Sequence, residues 1–383
     1  MSDLRDRIHY QPLPAEAEAA ARSWPVVEAA LAERGPGVSR RRTALRLAIV
    51  MAALLIGLLA VMSPARAWIE DQFASDAPSP RPAFAALPDG SGPVLAISRS
   101  GAYAVHADGG SRWLGSFSDA GWSPRGLHVV GVEGRRVVAV TPTGRLKWTV
   151  VRPSRVHDPS WSQGAGFAVA YLEGGQLRAV AGDGTPSSDR MLRRGAAPAT
   201  PVWRPSSDRV LAYATSDGAV EAVDVQTGEA LWRTALPSGA RALAWAGRRL
   251  AALSSASITI LNGRGRSLFT IPLPRGARDF ALHPTGTLAA VLVGRGPGAR
   301  VIEAPLSKPL PGRGRDAQTR LFQGDVNGLA WSANGRRLVL SWRGAGQWLL
   351  LGTDERIRAL DGVTRELGAA GGFPRVVSWC CPR

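Results

Sequence analysis

The sequence predicts an all-β fold: a seven-bladed β-propeller of four-stranded blades with N/C-terminal ring closure, preceded by one transmembrane helix and a short cytoplasmic helix. Three observations carry this reading. A phrase led by an aromatic residue, as in "LAWSANGRRLVLSW" (329–342), recurs along the chain, with anchors at Trp122, Trp161, Trp203, Trp245, His283, Trp331 and Trp379. Their spacings are 39, 42, 42, 38, 48 and 48 residues, the length of a four-stranded blade. The runs between anchors are short, apolar and cut by turn formers drawn from 44 Gly and 28 Pro, which excludes helical repeats of similar length.

Taken in chain order, residues 1–43 form a cytoplasmic segment. Within it "AEAEAAARSWPVVEAALAER" (15–34) puts Trp24, Val27, Ala30 and Leu31 on one helical face, and "GPG" (35–37) ends the helix. Residues 44–68 form the expected transmembrane helix. Ala44–Met62 are apolar except for Arg46, and such a run covers about 28 Å, close to the hydrocarbon thickness. "SRRR" (39–42) on its N-terminal side puts the N-terminus in the cytoplasm and the C-terminal domain outside the cell membrane. A signal peptide cleaved after "ARA" (65–67) is the alternative reading of the same run. Residues 69–92, rich in Pro and Ser, read as an extended linker.

Residues 93–383 carry the repeat. Each unit has an anchor strand ending in the aromatic residue, then a turn such as "SPRG", "PTG" or "SANG", then an almost unbroken apolar strand such as "LHVVGV", "FAVAYL" or "TLAAVLV". Such a run suits a strand buried on both faces, between two neighbouring blades. An alternating strand and an outer strand follow, joined by Asp-Gly or Thr-Gly turns. Trp148 and Trp232 hold the same outer-strand slot, 84 residues apart. "VLAISRSGAYAVHADGGSRWLGSF" (94–117) lacks an anchor strand, and "RVVSWCCP" (375–382) is an anchor strand with nothing after it. Together they complete one blade and remove the open edges that a linear array would leave.

"WSPRG", "WRPSSD", "HPTG" and "WSANG" resemble the phrase of WD40-like repeat and TolB-like β-propellers, and "VEAVDVQTGEALW" (220–232) is similar to the tryptophan-docking repeat of quinoprotein-type propellers. The resemblance covers residues 93–383 and implies the fold rather than an activity. The layout also resembles bacterial single-pass membrane regulators of the anti-sigma type, which implies a cytoplasmic partner for residues 1–43. Their zinc-binding His/Cys signature is missing, because this segment holds His9 and no Cys.

The composition points away from several functions. The formal charge is +17, but the cations are almost all Arg and are scattered through turns. No nucleic-acid partner is expected, since no basic stripe runs beside aromatic platforms. The five His fall in no metal-ligand spacing, and no nucleophile or phosphate-loop motif occurs. No catalytic residue, metal or cofactor is therefore expected. A quinone-dependent dehydrogenase, which the quinoprotein resemblance would allow, is disfavoured because its acidic calcium set is not found. Cys380 and Cys381 are adjacent and either form a vicinal disulfide or remain thiols. The loops at 293–300 and 307–320 lengthen one unit and carry Arg295, Arg300, Arg313, Arg315 and Arg320, a candidate surface for an acidic partner. The function expected is a non-enzymatic, membrane-anchored propeller that binds a protein or ligand of the cell envelope, or, alternatively, a transmembrane regulator.

Overall fold

The computed structural model describes Leu87 and residues 92–165, 167–307, 319–353, 356–368 and 372–381. The chain divides into two compact units, Met1–Asp76 and Ala77–Arg383, and every described residue belongs to the second. The expected cytoplasmic helix and transmembrane helix lie outside the described residues, as does the linker apart from Leu87 and Gly92. Among the described residues no helix is long and apolar enough to cross a membrane.

Seven four-stranded antiparallel sheets follow one another along the chain. Blade 2 comprises Asp119–Trp122, Val129–Glu133, Arg136–Val140 and Leu146–Val151. The inner strands of blades 3 to 7 are Val156–Trp161, Val202–Trp203, Ala242–Ala246, Ala277–Leu282 and Val326–Trp331. Blade 1 joins the two ends of the repeat. Its inner strand, Arg375–Trp379, pairs antiparallel with Val94–Ser98, with Val94 opposite Trp379, and Gly101–Val105 and Ser111–Gly115 complete the sheet. The seven blades and the shared closing blade are those the Trp spacing predicts.

The core lies between blades, and the pleat explains how one strand serves two interfaces. Successive side chains of a strand point to opposite faces. In blade 2, Val129 packs with Leu95, Ala102 and Leu114 of blade 1, while Val130 packs with Val169, Tyr171 and Val180 of blade 3. In blade 6, Val291 joins Leu253, Ile258 and Ile271 of blade 5, and Leu292 joins Leu338, Leu340 and Leu349 of blade 7. All four of these second-strand residues are fully buried, so each contributes about 1.5–3 kcal/mol of burial. Outer strands such as Ala230–Ala235 are mostly exposed, and there the sequence relaxes into alternation.

The outer-strand Trp slot has a structural purpose. Trp148 of blade 2 donates its indole N–H to Gly182 O of blade 3 (2.8 Å), and Trp232 of blade 4 donates to Gly263 O of blade 5 (3.1 Å). Each ring lies flat against a turn glycine of positive φ: a Cβ on Gly184 would sit 2.4 Å from Trp148, and one on Gly265 would sit 2.5 Å from Trp232. One departure from the expected pattern is a short helix, α1 (Val363–Leu367), ahead of the closing strand. Its Val363 and Leu367 are buried against Trp348, Leu350 and Leu360 of blade 7. This helix, not a loop, takes up part of the last 48-residue spacing.

Gly265→Ala is expected to lower stability by about 2–4 kcal/mol, combining left-handed backbone strain with overpacking against Trp232. Gly247→Ala carries a similar positive φ with nothing within 4 Å and is expected to cost only about 1 kcal/mol. Denaturant midpoints of the two variants measure the difference.

Candidate functional site

The inner strands of all seven blades line a central channel of about 920 Å³. They run in the same sense, because each blade is an antiparallel four-strand meander and the next begins at the same end. One mouth is therefore formed where the inner strands end, and the other where they begin.

The aromatic anchors sit near the first mouth. Trp203 donates its indole N–H back to Ser160 O of blade 3 (3.2 Å), Trp245 to Val202 O of blade 4 (3.1 Å) and Trp379 to Gly92 O (2.8 Å). Trp161 is buried and stacks on His128 at 5.7 Å. His283, in the Trp slot of blade 6, reaches forward: its Nε2 meets Gly335 O at 3.0 Å and its ring lies edge-on to Trp331 at 4.8 Å. These anchors tie blade to blade. The turn after each anchor explains the recurring "PRG" and "PTG": Gly126 of blade 2 packs on Cys380 Sγ, and Gly286 of blade 6 packs on the Ala246 methyl, too closely for a further carbon in either case. Cys380 thus fills a slot that takes alanine elsewhere in the ring. Cys380 and Cys381 stand at disulfide distance, and Cys381 lines the channel.

The second mouth is charged. Asp119, Asp158, Arg241, Arg278, Asp279 and Arg375 come from five different blades, Arg278 and Asp279 sharing blade 6, and all line the channel. Asp119 is held by the N–H of Ala120 (3.0 Å) and by the N–H of Asp158, and faces Arg375 at 3.8 Å. Burial nevertheless pushes its carboxyl up to about 6, with the neighbouring Asp158 adding to the rise and Arg375 opposing it. Burial likewise raises the Asp279 carboxyl, again against Arg375. Asp158 takes a positive φ of 53°, and its carboxylate meets His157 Nδ1 at 2.8 Å and accepts from Thr200 Oγ1 at 2.9 Å. Arg278 is spent on structure. It donates to Gly294 O (2.7 Å) and Val326 O (2.6 Å), clamping blade 6 to blade 7. Arg241 is exposed and makes no ion pair among the described residues.

Five buried side-chain polar atoms among the described residues have no hydrogen-bond partner: Trp122 Nε1, Ser160 Oγ, Asn327 Oδ1, Trp331 Nε1 and Ser378 Oγ. All five residues line the channel. Native cores leave few such groups, and each asks for an explanation. Asn327 shows how one is aimed: its amide nitrogen donates to Phe373 O (3.3 Å), leaving the carbonyl oxygen over. The channel wall therefore holds five residues with a buried, unpartnered polar atom, and charges of both signs stand at one end. At that end His157 and Thr200 both bond to Asp158 instead of to each other, so they do not form a hydroxyl–imidazole relay for nucleophilic attack.

Of the Arg residues expected to form a partner surface, Arg295, Arg300 and Arg320 are among the described residues. Arg295 opens the connection from Val293 to Arg300, at the end of blade 6 where its inner strand begins, and is exposed there, as is Arg300. Arg313 and Arg315 lie outside the described residues. Arg320 lies in the outer strand, opposite Ile302. The mouth residues themselves escaped the sequence reading. Their signal is a charged residue three to five positions ahead of an anchor in an otherwise apolar strand, as in "DAGW", "DPSW", "RDFALH" and "RVVSW".

These features define a seven-bladed β-propeller with four-stranded blades, closed by its chain ends around a polar channel. No protein-family model and no curated protein matches the sequence. Among solved structures, the β-propeller domain of Cps50 (Swd1) from Myceliophteria thermophila is similar, with 14% identity, 64% of this chain and 86% of that chain covered, and a TM-score of 0.49. The blade count rests on the strand pairing above and not on this likeness.

Asp119 gives a pH dependence with a definite sign. Its folded carboxyl lies above its ordinary value of 3.8, so the folded chain holds the proton more tightly than the unfolded chain. That contribution is complete below about pH 4, declines as pH rises to about 6 and is flat above. Relative to Asp119→Asn, the wild type is expected to lose on the order of 2 kcal/mol across this window. Urea midpoints of both proteins from pH 4 to 7 measure the loss.

Proposed function

We propose that the protein is a non-enzymatic, membrane-anchored binding module whose propeller captures a protein or other ligand of the cell envelope at the charged mouth of its channel. The observation that carries this reading is the convergence of Asp119, Asp158, Arg241 and Arg375, from four different blades, on one mouth of the channel. A concave site with a few convergent polar groups is the usual form of a ligand site. Asp158 supports the choice of mouth: a non-glycine residue at positive φ is costly, and such strain concentrates where side chains must be aimed at a ligand. The anchor is the apolar run Ala44–Met62, with "SRRR" before it setting the propeller outside the cytoplasm.

A second reading has its own motive. The amphipathic face of Trp24, Val27, Ala30 and Leu31 stands on the far side of the apolar run from the propeller, which suits a transmembrane regulator holding a cytoplasmic partner.

The test uses the full-length protein in its own membranes, with a photo-crosslinking residue at position 241. A discrete adduct is expected, lost about tenfold or more in Asp158→Asn and kept in Arg264→Glu/Arg266→Glu on the opposite face. Equal adducts in all variants would overturn the mouth assignment. Release of the chain by alkaline carbonate would overturn the anchor. With the photo-crosslinking residue moved to position 24, a discrete adduct to a cytoplasmic protein would favour the regulator.

A further inference from the structure

The vicinal cysteine pair lies where the ring closes, and the surrounding contacts are unusually tight. The Cys380 N–H donates to Pro93 O (2.9 Å), extending the pairing of the closing strand by one residue. Trp379, its neighbour, donates to Gly92 O (2.8 Å). Gly92 has no room for a side chain, since a Cβ there would sit 2.2 Å from Cys380 O. On the other side, Cys380 Sγ packs against Gly126 of blade 2, where a Cβ would sit 2.7 Å away, and Cys381 Sγ lies 3.7 Å from Ser123 O of the same turn. Both cysteines line the channel, but Cys380 is buried among Leu95, Trp122 and Val129, whereas Cys381 is partly exposed. Both sulfurs thus lie against Gly126 in the seam between blades 1 and 2, with Cys381 the less buried residue of the pair.

We infer that Cys380–Cys381 is a redox-active site that exchanges with small thiols entering by the channel mouth, and that its state sets how firmly the closing blade is held against blade 2. This inference rests on the ring closure and not on the proposed ligand site. A thiolate attacks Cys381 Sγ, the accessible sulfur, forming a mixed disulfide. The S–S bond breaks, and Cys380 leaves with the electron pair and takes a proton from solvent. A second thiol molecule attacks the mixed disulfide, releasing the small-molecule disulfide and the Cys381 thiol. Overall, two thiols are oxidised to one disulfide, and the protein disulfide is reduced to two thiols. Closure of the small ring ties the Cys381 side chain to a sulfur fixed in the seam. Once reduced, Cys381 is free to turn from Ser123 toward the channel, and Cys380 keeps only its backbone bond to Pro93. The slot is built for this, because the matching position in blade 5 is Ala246, whose methyl meets Gly286 and offers no link to its neighbour.

The experiment takes the full-length protein, purified without reductant, and measures intact mass before and after native treatment with dithiothreitol. An increase of about 2 Da is expected in the folded state, after which iodoacetamide labels Cys381 on the order of tenfold faster than Cys380. Reduction is expected to lower the melting temperature by about 2 °C or more. The same treatment is expected to leave Cys380→Ala/Cys381→Ser unmoved; this variant places the ring's own alanine in the seam and so keeps the fold. Two thiols that label without reduction would overturn the inference. So would a disulfide that dithiothreitol reaches only after urea unfolds the chain, or a wild-type melting temperature that reduction does not shift.

Discussion

Antiparallel pairing between Val94–Ser98 and Arg375–Trp379 is the constraint on which the rest of the structure depends. It joins residues more than 270 positions apart, so its loop-closure cost falls late and is large only in kinetic terms, growing slowly with length. What it secures is the two-sided burial of every blade. Leu95, Ala102 and Leu114 of blade 1 face blade 2, and Val94, Ala96, Val105 and Val376 face blade 7. Without the closing strand both faces of that blade would lose packing, and two inter-blade cores would open to water.

The same closure creates the channel. Seven inner strands that begin at one end and finish at the other produce two chemically distinct mouths from one repeated phrase. Where the strands finish, Trp203 and Trp245 bond to the preceding blades through Ser160 O and Val202 O, and Trp379 bonds within the closing blade to Gly92 O. Where they begin, the repeat imposes no residue, and the chain places Asp119, Asp158, Arg241, Asp279 and Arg375 there. The stabilising end is uniform and the other end is individual, which is how a repeat fold separates architecture from recognition.

How much of this the sequence disclosed follows from the range over which each signal acts. Blade count, blade length and ring closure are periodic, and one aromatic residue about every 43 positions displays them. The burial of second strands such as Leu288–Val293, complete from Ala289 onward, was legible for the same reason. The helix Val363–Leu367 was not, since five residues give too little periodicity to separate a helix from a loop. The charged mouth was missed because Asp119, Asp158 and Asp279 lie 39 and 121 residues apart, and only the closed ring brings them to one opening. Arg295, Arg300, Arg313, Arg315 and Arg320 stand out more readily in the sequence because they are close together along the chain. The difference between Trp203, which is bonded, and Trp122 or Trp331, whose buried indole N–H groups have no partner, has no counterpart in the sequence, where all three head the same phrase.

Hydrogen exchange on the full-length chain tests the closed ring most directly. The account predicts that the amides of Arg375–Trp379 exchange as slowly as those of the inner strands Ala277–Leu282 and Val326–Trp331, and in the same cooperative step as Val94–Ser98. Exchange of Arg375–Trp379 at the rate of an unpaired segment, while the other inner strands stay protected, would contradict it.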